Sequence, residues 1–288
     1  MIPFLKYKKI YFTLSGLLIL ASLVSLIVFG LKPGIDFTGG SILEVEYEEN
    51  QPSNAEIEEA LIDLNLGEIK IQYSGEKRII LRTKNISEEI HQQVVNKLEG
   101  SKELRFEAIG PVIGKEMEQK TKVVAILAIF AILLYITIAF RKVSKPISSW
   151  QYGVTSLIAL GHDVLIPLGV FAYLGHFYDV QITIPVITAL LTVLGYSINN
   201  TVVVFDRIRE NLIINKSANF KEIVDKSLNQ TLTRSINTSL TTLFVLFAIL
   251  FLGGETLRYF SLALILGLIC GTYSSIFLAS PLLVSKST

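Results

Sequence analysis

Six long apolar blocks restrict the fold of this chain more than any other feature of the sequence. Each approaches or exceeds the length of about 20 mostly apolar residues that a membrane-crossing helix needs. They lie at Ile10–Leu31, Val123–Phe140, Tyr152–Leu174, Ile182–Phe205, Ile236–Leu252 and Tyr259–Val284. The first block is too long for the apolar core of a cleaved signal peptide, and no small-x-small cleavage site follows it. The pattern therefore predicts an α-helical membrane protein with six transmembrane helices.

Basic residues predict the orientation of these helices, because Lys and Arg favour short cytoplasmic loops. They cluster at both termini and after the second and fourth spans, at Lys6, Lys8, Lys9, Arg141, Lys142, Lys145, Arg207, Arg209, Lys216, Lys221, Lys226 and Lys286. The segments after the third and fifth spans, Gly175–Gln181 and Gly253–Arg258, carry almost no basic charge. Both termini are therefore predicted to be cytoplasmic.

The residues between the first two spans predict a small folded domain outside the membrane. The division is residues 1–31 for the cytoplasmic N-terminus and first span, 32–122 for the outer domain, and 123–288 for the other spans. Alternating apolar residues predict strands near Leu43–Tyr47, Ile69–Tyr73, Ile79–Thr83 and Leu104–Ala108. A capping box at Ser53 and Glu56 and an apolar stripe along Ile86–Leu98 predict two helices. The order βαββαβ is that of a ferredoxin-like α/β domain. Its excess of carboxylates fits either a soluble surface or an acidic binding site.

Several kinds of chemistry lack a sequence signature. There is no phosphate-binding loop and no nucleophile elbow, and His91, His162 and His176 lack metal-ligand spacing. The one cysteine, Cys270, lies in an apolar block, where a packing role is expected. The net charge of +1 gives no general attraction to nucleic acid. We expect no enzymatic activity, no cofactor, no metal and no nucleic-acid partner.

Polar residues inside the spans are the main functional candidates, because ionisable groups in membrane helices are costly and usually face a cavity or a partner. They occur in the third, fourth and fifth spans, at His162, Asp163, Asn199, Asn200, Thr201, Arg234, Asn237, Thr238, Thr241 and Thr242. The last five share one helix face. One interpretation is a hydrated, charge-relaying path between these three spans. The other, favoured for Thr241 and Thr242, is hydrogen bonding between helices.

Four segments carry a resemblance to a known family: Gly34–Gly40 (GIDFTGG), Gly110–Gly114 (GPVIG), Gly195–Asn211 and Leu232–Ser239. They resemble the SecF family, subunits of the bacterial SecDF protein-export complex, and the resemblance covers nearly the whole chain. It implies one RND-like half of a membrane transporter fold in the bacterial inner membrane. It also implies SecD, the SecYEG translocon, exported polypeptide, protons and membrane lipid as partners.

The resemblance also implies roles for individual residues. The proton-path candidates are Asp163, Asn199, Asn200, Arg234, Asn237 and Thr238. Gly195, Tyr196, Asp206 and Arg207 belong to the fourth-span motif, although the two charges alone would indicate only topology. Gly34, Asp36, Gly39 and Gly40 are expected to shape the turn into the outer domain, with glycine allowing positive φ angles.

One position departs from the family pattern. The family has an aspartate, proposed to take part in proton transfer, where this chain has Asn200. An amide cannot titrate. Either another carboxylate, Asp163 or one on SecD, carries the proton, or the proton site is altered. Arg234 stands at the position of an important arginine of the family.

Two alternatives to a protein-export subunit remain at this point. One is half of an RND-type exporter of small molecules or ions. That class usually has a longer chain with duplicated six-span halves, so this chain would need a partner to complete it. The other is a membrane scaffold that transports nothing, for which neutral replacements of Asp163 and Arg234 would leave export intact.

Overall fold

The computed structural model describes residues 1–48, 51–139, 147–215 and 219–285. The chain divides into two compact units, Met1–Lys32 with Val123–Thr288, and Pro33–Lys122. Lys32 belongs to the membrane unit because its carbonyl accepts the Ile182 N–H at 2.7 Å and its Nζ lies 2.5 Å from Asp179 Oδ1. Five basic residues used to predict orientation lie outside the described residues, namely Arg141, Lys142, Lys145, Lys216 and Lys286.

The described residues form ten α-helices and four strands. The helices are α1 Lys8–Phe29, α2 Ile35–Thr38, α3 Asn54–Leu61, α4 Glu88–Lys97, α5 Pro111–Ala139, α6 Ser149–Tyr178, α7 Ile184–Ile214, α8 Phe220–Leu252, α9 Glu255–Ser274 and α10 Ser280–Ser285. A π-helical segment, Ser275–Ala279, joins the last two. The strands are β1 Gly40–Tyr47, β2 Lys70–Ser74, β3 Arg78–Thr83 and β4 Ser101–Ile109.

The outer unit has the predicted ferredoxin-like fold. Its antiparallel sheet has the strand order β2-β3-β1-β4, and α3 and α4 complete the βαββαβ sequence. Val45, Ile57 and Ile79 are almost fully buried in its core. The predicted capping box is confirmed at the start of α3, where the Ser53 hydroxyl accepts the Glu56 N–H and the Ser53 N–H donates to Glu56 Oε2 at 2.7 Å.

The glycine-rich turn before β1 only partly follows the prediction. Gly39 and Gly40 have φ angles of 73° and 136°, which favour glycine. A Cβ atom on Gly39 would also lie 2.8 Å from the Cα of Pro111. The prediction was wrong at Gly34, whose φ is −78°. Gly34 instead precedes α2, and its carbonyl accepts the hydroxyl of Thr38 at 3.1 Å.

Six helices are long and apolar enough to cross a membrane within the described ranges. Three are much longer than their apolar blocks: α5 begins at Pro111, α7 continues to Ile214, and α8 begins at Phe220. Polar residues extend these helices beyond the apolar core, because charges at spacing i,i+4 support a helix. In α5, Lys120 Nζ lies 2.8 Å from Glu116 Oε1 and Lys122 Nζ lies 2.6 Å from Glu118 Oε1.

Close contacts fix how the membrane helices pass one another. The α6–α7 pair is antiparallel, because Tyr152 stacks edge-on against Phe205 at 5.1 Å while Asp163 meets Ser197 at 2.5 Å. In the parallel pair α7–α9, Gly267 packs against Val193. These contacts bring the middle of α6, α7 and α9 together, at the site described next.

Candidate functional site

The carboxylate of Asp163 is the centre of a polar cluster in the membrane unit. Its side chain is fully buried. Oδ2 accepts hydrogen bonds from the hydroxyls of Ser197 on α7, at 2.5 Å, and Ser274 on α9, at 2.7 Å. Oδ1 lies 2.8 Å from Nδ1 of His162. Asp163 therefore joins three membrane helices through the two hydroxyl groups and its own backbone.

The neighbouring His162 extends the cluster towards α1. Its ring is 1% exposed and stacks on Tyr273 of α9, with centroids 5.8 Å apart. The Tyr273 hydroxyl donates to the carbonyl of Tyr11 at 3.2 Å and accepts from Ser15 at 3.3 Å. When Nδ1 of His162 carries the proton, it donates to Asp163, and Nε2 is then an unprotonated acceptor.

Gly271 allows α9 to pack closely against α7 beside Asp163. A Cβ atom on Gly271 of α9 would lie 3.2 Å from Cα of Ser197 and 3.5 Å from Oδ2 of Asp163. A Cβ atom there would require Ser197 to move by a few tenths of an ångström, and a bulkier side chain would require more. Glycine therefore favours the close packing in which Ser197 and Ser274 share one carboxylate oxygen.

The two asparagines of the fourth-span motif face different surroundings. Asn199 is exposed, and with Gly195 it lines a groove of about 350 Å³ between α5 and α7. Asn200 is 4% exposed, and its Nδ2 has no hydrogen-bond acceptor among the described residues. Asn200, where the resemblance implies an aspartate, thus has a donor without a partner in the described part of the chain.

The polar face of α8 lies on the outside of this chain. Arg234, Asn237, Thr238 and Thr241 are all exposed. Thr238 and Thr241 return their hydroxyls to carbonyls of α8 itself, at 2.7 Å and 3.1 Å. Thr242 does the same at 3.1 Å, so the predicted interhelical bonds of Thr241 and Thr242 are not found in the described ranges.

The predicted path between the third, fourth and fifth spans is therefore split. Asp163 has its hydroxyl partners on the fourth and sixth spans. Arg234 lies on the fifth span and, within the described residues, makes no hydrogen bond or ion pair with Asp163 or Asn200. The sequence shows that these residues are polar and lie within spans, but it does not show that Asp163 is buried while the polar face of α8 is exposed.

Three other motif residues make contacts within the membrane unit. Tyr196 donates to Ser239 at 3.4 Å, and Ser239 bonds to Thr272 at 2.6 Å, so the motif joins α7, α8 and α9. Asp206 is paired with Arg209 at 2.8 Å. Arg207 bonds to Gln230 at 2.8 Å and to Glu210 at 2.5 Å.

Sequence reasoning missed Ser197, Ser274 and Tyr273. Serine and tyrosine are common in membrane helices, so their presence alone gives no signal. The spacing Ser197 to Thr201 puts both hydroxyls on one face of α7, which could have been noticed. Ser274 could not have been paired with Asp163, because the two residues are 111 positions apart.

Comparison with known proteins gives a consistent family assignment. Residues 89–288 match the family described as "Protein export membrane protein SecD/SecF, C-terminal", and residues 24–51 match the "SecD/SecF GG Motif". The protein translocase subunit SecF of Thermobaculum terrenum is 40% identical over 302 residues, covering 99% of this chain and 94% of the relative. That of Anaerolinea thermophila is 38% identical over 291 residues, covering 99% and 94%.

A solved structure agrees with this assignment. The crystal structure of SecDF from Thermus thermophilus, described as a translocon-associated membrane protein, matches with a TM-score of 0.84 and 34% identity. The match covers 98% of this chain and 38% of that SecDF chain. A second structure, of SecDF in a super-membrane-facing form, matches with a TM-score of 0.69 and 32% identity.

Proposed function

The chain belongs to the SecF family of protein translocase subunits, and on that premise we propose that it couples proton flow across the bacterial inner membrane to the translocation or release of exported polypeptide. Its partners in this role are SecD and the SecYEG translocon. Both termini face the cytoplasm, in line with the basic residues of the short loops. The chain acts by conformational change and not by covalent catalysis.

The observation that carries this proposal is the buried carboxylate of Asp163. An ionisable group inside a membrane bundle is costly to keep and commonly marks an ion or proton pathway. Removal from water disfavours the charge of a carboxylate, whereas hydrogen-bond donors stabilise it. Both effects act on Asp163, since it is fully buried and its carboxylate accepts two hydroxyl hydrogen bonds, with Nδ1 of His162 2.8 Å from its other oxygen.

Protonation of Asp163 would change the contacts between helices. The ionised carboxylate accepts from Ser197 and Ser274, which lie on α7 and α9. Both hydroxyls bond to Oδ2, whereas Oδ1 faces Nδ1 of His162, so a proton on Oδ1 would reverse the bond to His162 and a proton on Oδ2 would turn one hydroxyl from donor to acceptor. In either case, loss of the charge weakens the hydroxyl bonds that link α7 and α9 to α6, so a change in charge at one residue alters the bonds between helices, which is what coupling requires.

Asn200 makes Asp163 the stronger candidate within this chain. The resemblance assigns proton transfer to an aspartate at that position, and asparagine cannot take the proton. A carboxylate of SecD is the other candidate for the same role. The exposed polar face of α8, with Arg234, is the surface that such a carboxylate would meet.

The test is export driven by a proton gradient in vesicles that contain this chain, its SecD partner and the translocon. Asp163→Asn keeps the size of the side chain and removes its ability to ionise. We expect this change to reduce export to the level measured without a gradient, and Arg234→Met to do the same. The control is Asp206→Asn, which alters an exposed carboxylate near the end of α7.

Two outcomes would contradict the proposal. Full stimulation by the gradient in assembled Asp163→Asn complexes would remove Asp163 from the proton path. Efflux of a small molecule or ion from vesicles that lack the translocon would favour an RND-type exporter instead.

A further inference from the structure

In α6, α7 and the last span, the buried polar side chains lie, with one exception, on one side of Asp163 along the helix axes. In α6 they all precede or include Asp163, and in α7 they all follow or include Ser197. In the last span all but one follow or include Ser274. The set is Thr155, Ser156, His162, Asp163, Ser197, Asn200, Thr201, Asn211, Ser274, Ser275 and Ser280.

Helix direction places this set in one half of the bundle. Because α6 is antiparallel to α7 and α9, residues before Asp163 lie at the same end as residues after Ser197 and Ser274. At 1.5 Å per residue, Ser156 lies about 10 Å from Asp163 along α6. Asn200 lies about 5 Å beyond Ser197 in the same direction.

The opposite half of α6, α7 and α9 is apolar where it is buried. Ile166, Leu190 and Val193 are among its buried residues. The one buried polar side chain of these helices on that side is Ser261, within the described residues, and its hydroxyl bonds to the carbonyl of Leu257 in the same helix at 2.7 Å. Asp163 thus lies where a polar half of the bundle meets an apolar half.

Four buried polar atoms in the polar half have no protein partner among the described residues. They are Thr155 Oγ1, Ser156 Oγ, His162 Nε2 and Asn200 Nδ2. Hydroxyls in helices usually return to a carbonyl of the same helix, as Thr201 does to Ser197 at 3.1 Å. Leaving such a group unsatisfied is costly, and buried water is the common solution.

We propose that these atoms bind water and line a hydrated half-channel that connects Asp163 to the end of the bundle where α6 begins. The apolar half closes the channel on the other side of Asp163. Chains of water and hydroxyl groups carry protons in membrane proteins, so in this conformation Asp163 would exchange its proton with one compartment only. With the orientation proposed above, that compartment is the cytoplasm. This inference rests on the proposed role of Asp163 and specifies its access route.

One feature of the last span agrees with this route. The π-helical segment Ser275–Ala279 starts directly after Ser274, and such segments often occur at functional sites.

Silver ion is a probe small enough to follow water. Ser156→Cys and the matched control Ser261→Cys each replace one buried serine, in a Cys270→Ala chain assembled with its SecD partner in vesicles. Silver is applied to one face, and free thiols are then counted by labelling after unfolding. Silver should block the Ser156→Cys thiol at least about 10-fold faster than the Ser261→Cys thiol, because a hydrated thiol ionises more readily than one in apolar surroundings.

The side of the membrane from which silver reaches the Ser156→Cys thiol is also predicted. We expect rapid block only when silver is on the side where α6 begins. Equal rates for the two thiols, or equal rates from both faces, would overturn the half-channel.

A second measurement separates this inference from the proposed function. A pH change should produce an infrared carboxyl band that is absent in Asp163→Asn, and Thr155→Val should slow its appearance several-fold. The control is Thr188→Val, which makes the same replacement at an exposed position of α7 on the other side of Asp163. No such band would contradict the role of Asp163 itself, whereas a band that Thr155→Val leaves unchanged would contradict only the channel.

Discussion

At the scale of single residues, Asp163 and Asn200 differ in whether they can exchange a proton. The resemblance implies a proton-transferring residue at position 200, whereas the carboxylate of the buried polar cluster is at position 163. Asp163 is fully buried and accepts from two hydroxyls, whereas Asn200 is buried with a donor that has no described protein acceptor. Only the first of these can change charge. The proposed function therefore places proton exchange at Asp163 because of its contacts and not because of its position in a motif.

Asn200→Asp tests this assignment directly. Asn200 Nδ2 makes no hydrogen bond to the described residues, so the change removes no such bond from the amide nitrogen. If Asp163 already exchanges the proton, gradient-driven export should not rise above that of the unchanged chain. The measurement is export with and without the gradient, normalised to assembled complex. A clear increase would show that the chain lacks its main proton carrier at position 200.

At the scale of helices and strands, sequence patterns predicted which elements are present better than they predicted where each element begins and ends. Alternation at Leu43, Val45 and Tyr47 identified a strand, and Ser53 with Glu56 identified a helix start, because both signals are local. The polar starts of α5 and α8 were missed, since no apolar block marks them. The meeting of Ser197 and Ser274 at Asp163 depends on helix packing, which local patterns do not encode.

Gly169 tests the packing of α1 against α6. A Cβ atom at Gly169 would lie 2.5 Å from Cα of Ser22, so the backbones must separate to admit it. We expect Gly169→Ala to lower the free energy of unfolding by about 1–3 kcal/mol, as overpacking does. Gly161→Ala is the control on the same helix, where nothing lies within 4 Å. Thermal unfolding of both in detergent would contradict the prediction if the two midpoints fell equally.

The capping box of α3 predicts a pH effect in the outer unit. Hydrogen bonds from the Ser53 backbone N–H and hydroxyl lower the pKa of Glu56. A carboxyl whose pKa is lower in the folded state stabilises the fold above its unfolded pKa, and the effect is lost as pH falls through the folded pKa. The protection of α3 against hydrogen exchange, measured relative to the intrinsic exchange rate at each pH, should therefore fall in acid.

The matched variant for this effect is Ser53→Ala. It should cost about 1 kcal/mol at neutral pH. In this variant the protection of α3 should depend less on pH, because the Ser53 hydroxyl no longer donates to ionised Glu56. An unchanged pH dependence would show that another group causes it.

At the scale of the whole molecule, the exposed face of α8 indicates that this chain is one part of an assembly. Arg234, Asn237 and Thr238 are exposed on a helix that is long and apolar enough to cross a membrane. A cation facing lipid is unfavourable, so this face should be covered by protein or water. The 38% coverage of the solved SecDF chain fits a chain that needs a partner to complete its membrane unit.

Thr238→Trp tests whether SecD covers this face. The indole would project from the polar stripe and prevent close helix contact, because membrane helices associate through small and polar residues. We expect co-purification with SecD to be lost while the chain itself still accumulates in the membrane. Phe251→Trp, at a 77% exposed apolar position of α8, should retain SecD because it exchanges one aromatic ring for another. Equal recovery of SecD with both variants would place the partner elsewhere and leave the stripe of Arg234 to face water.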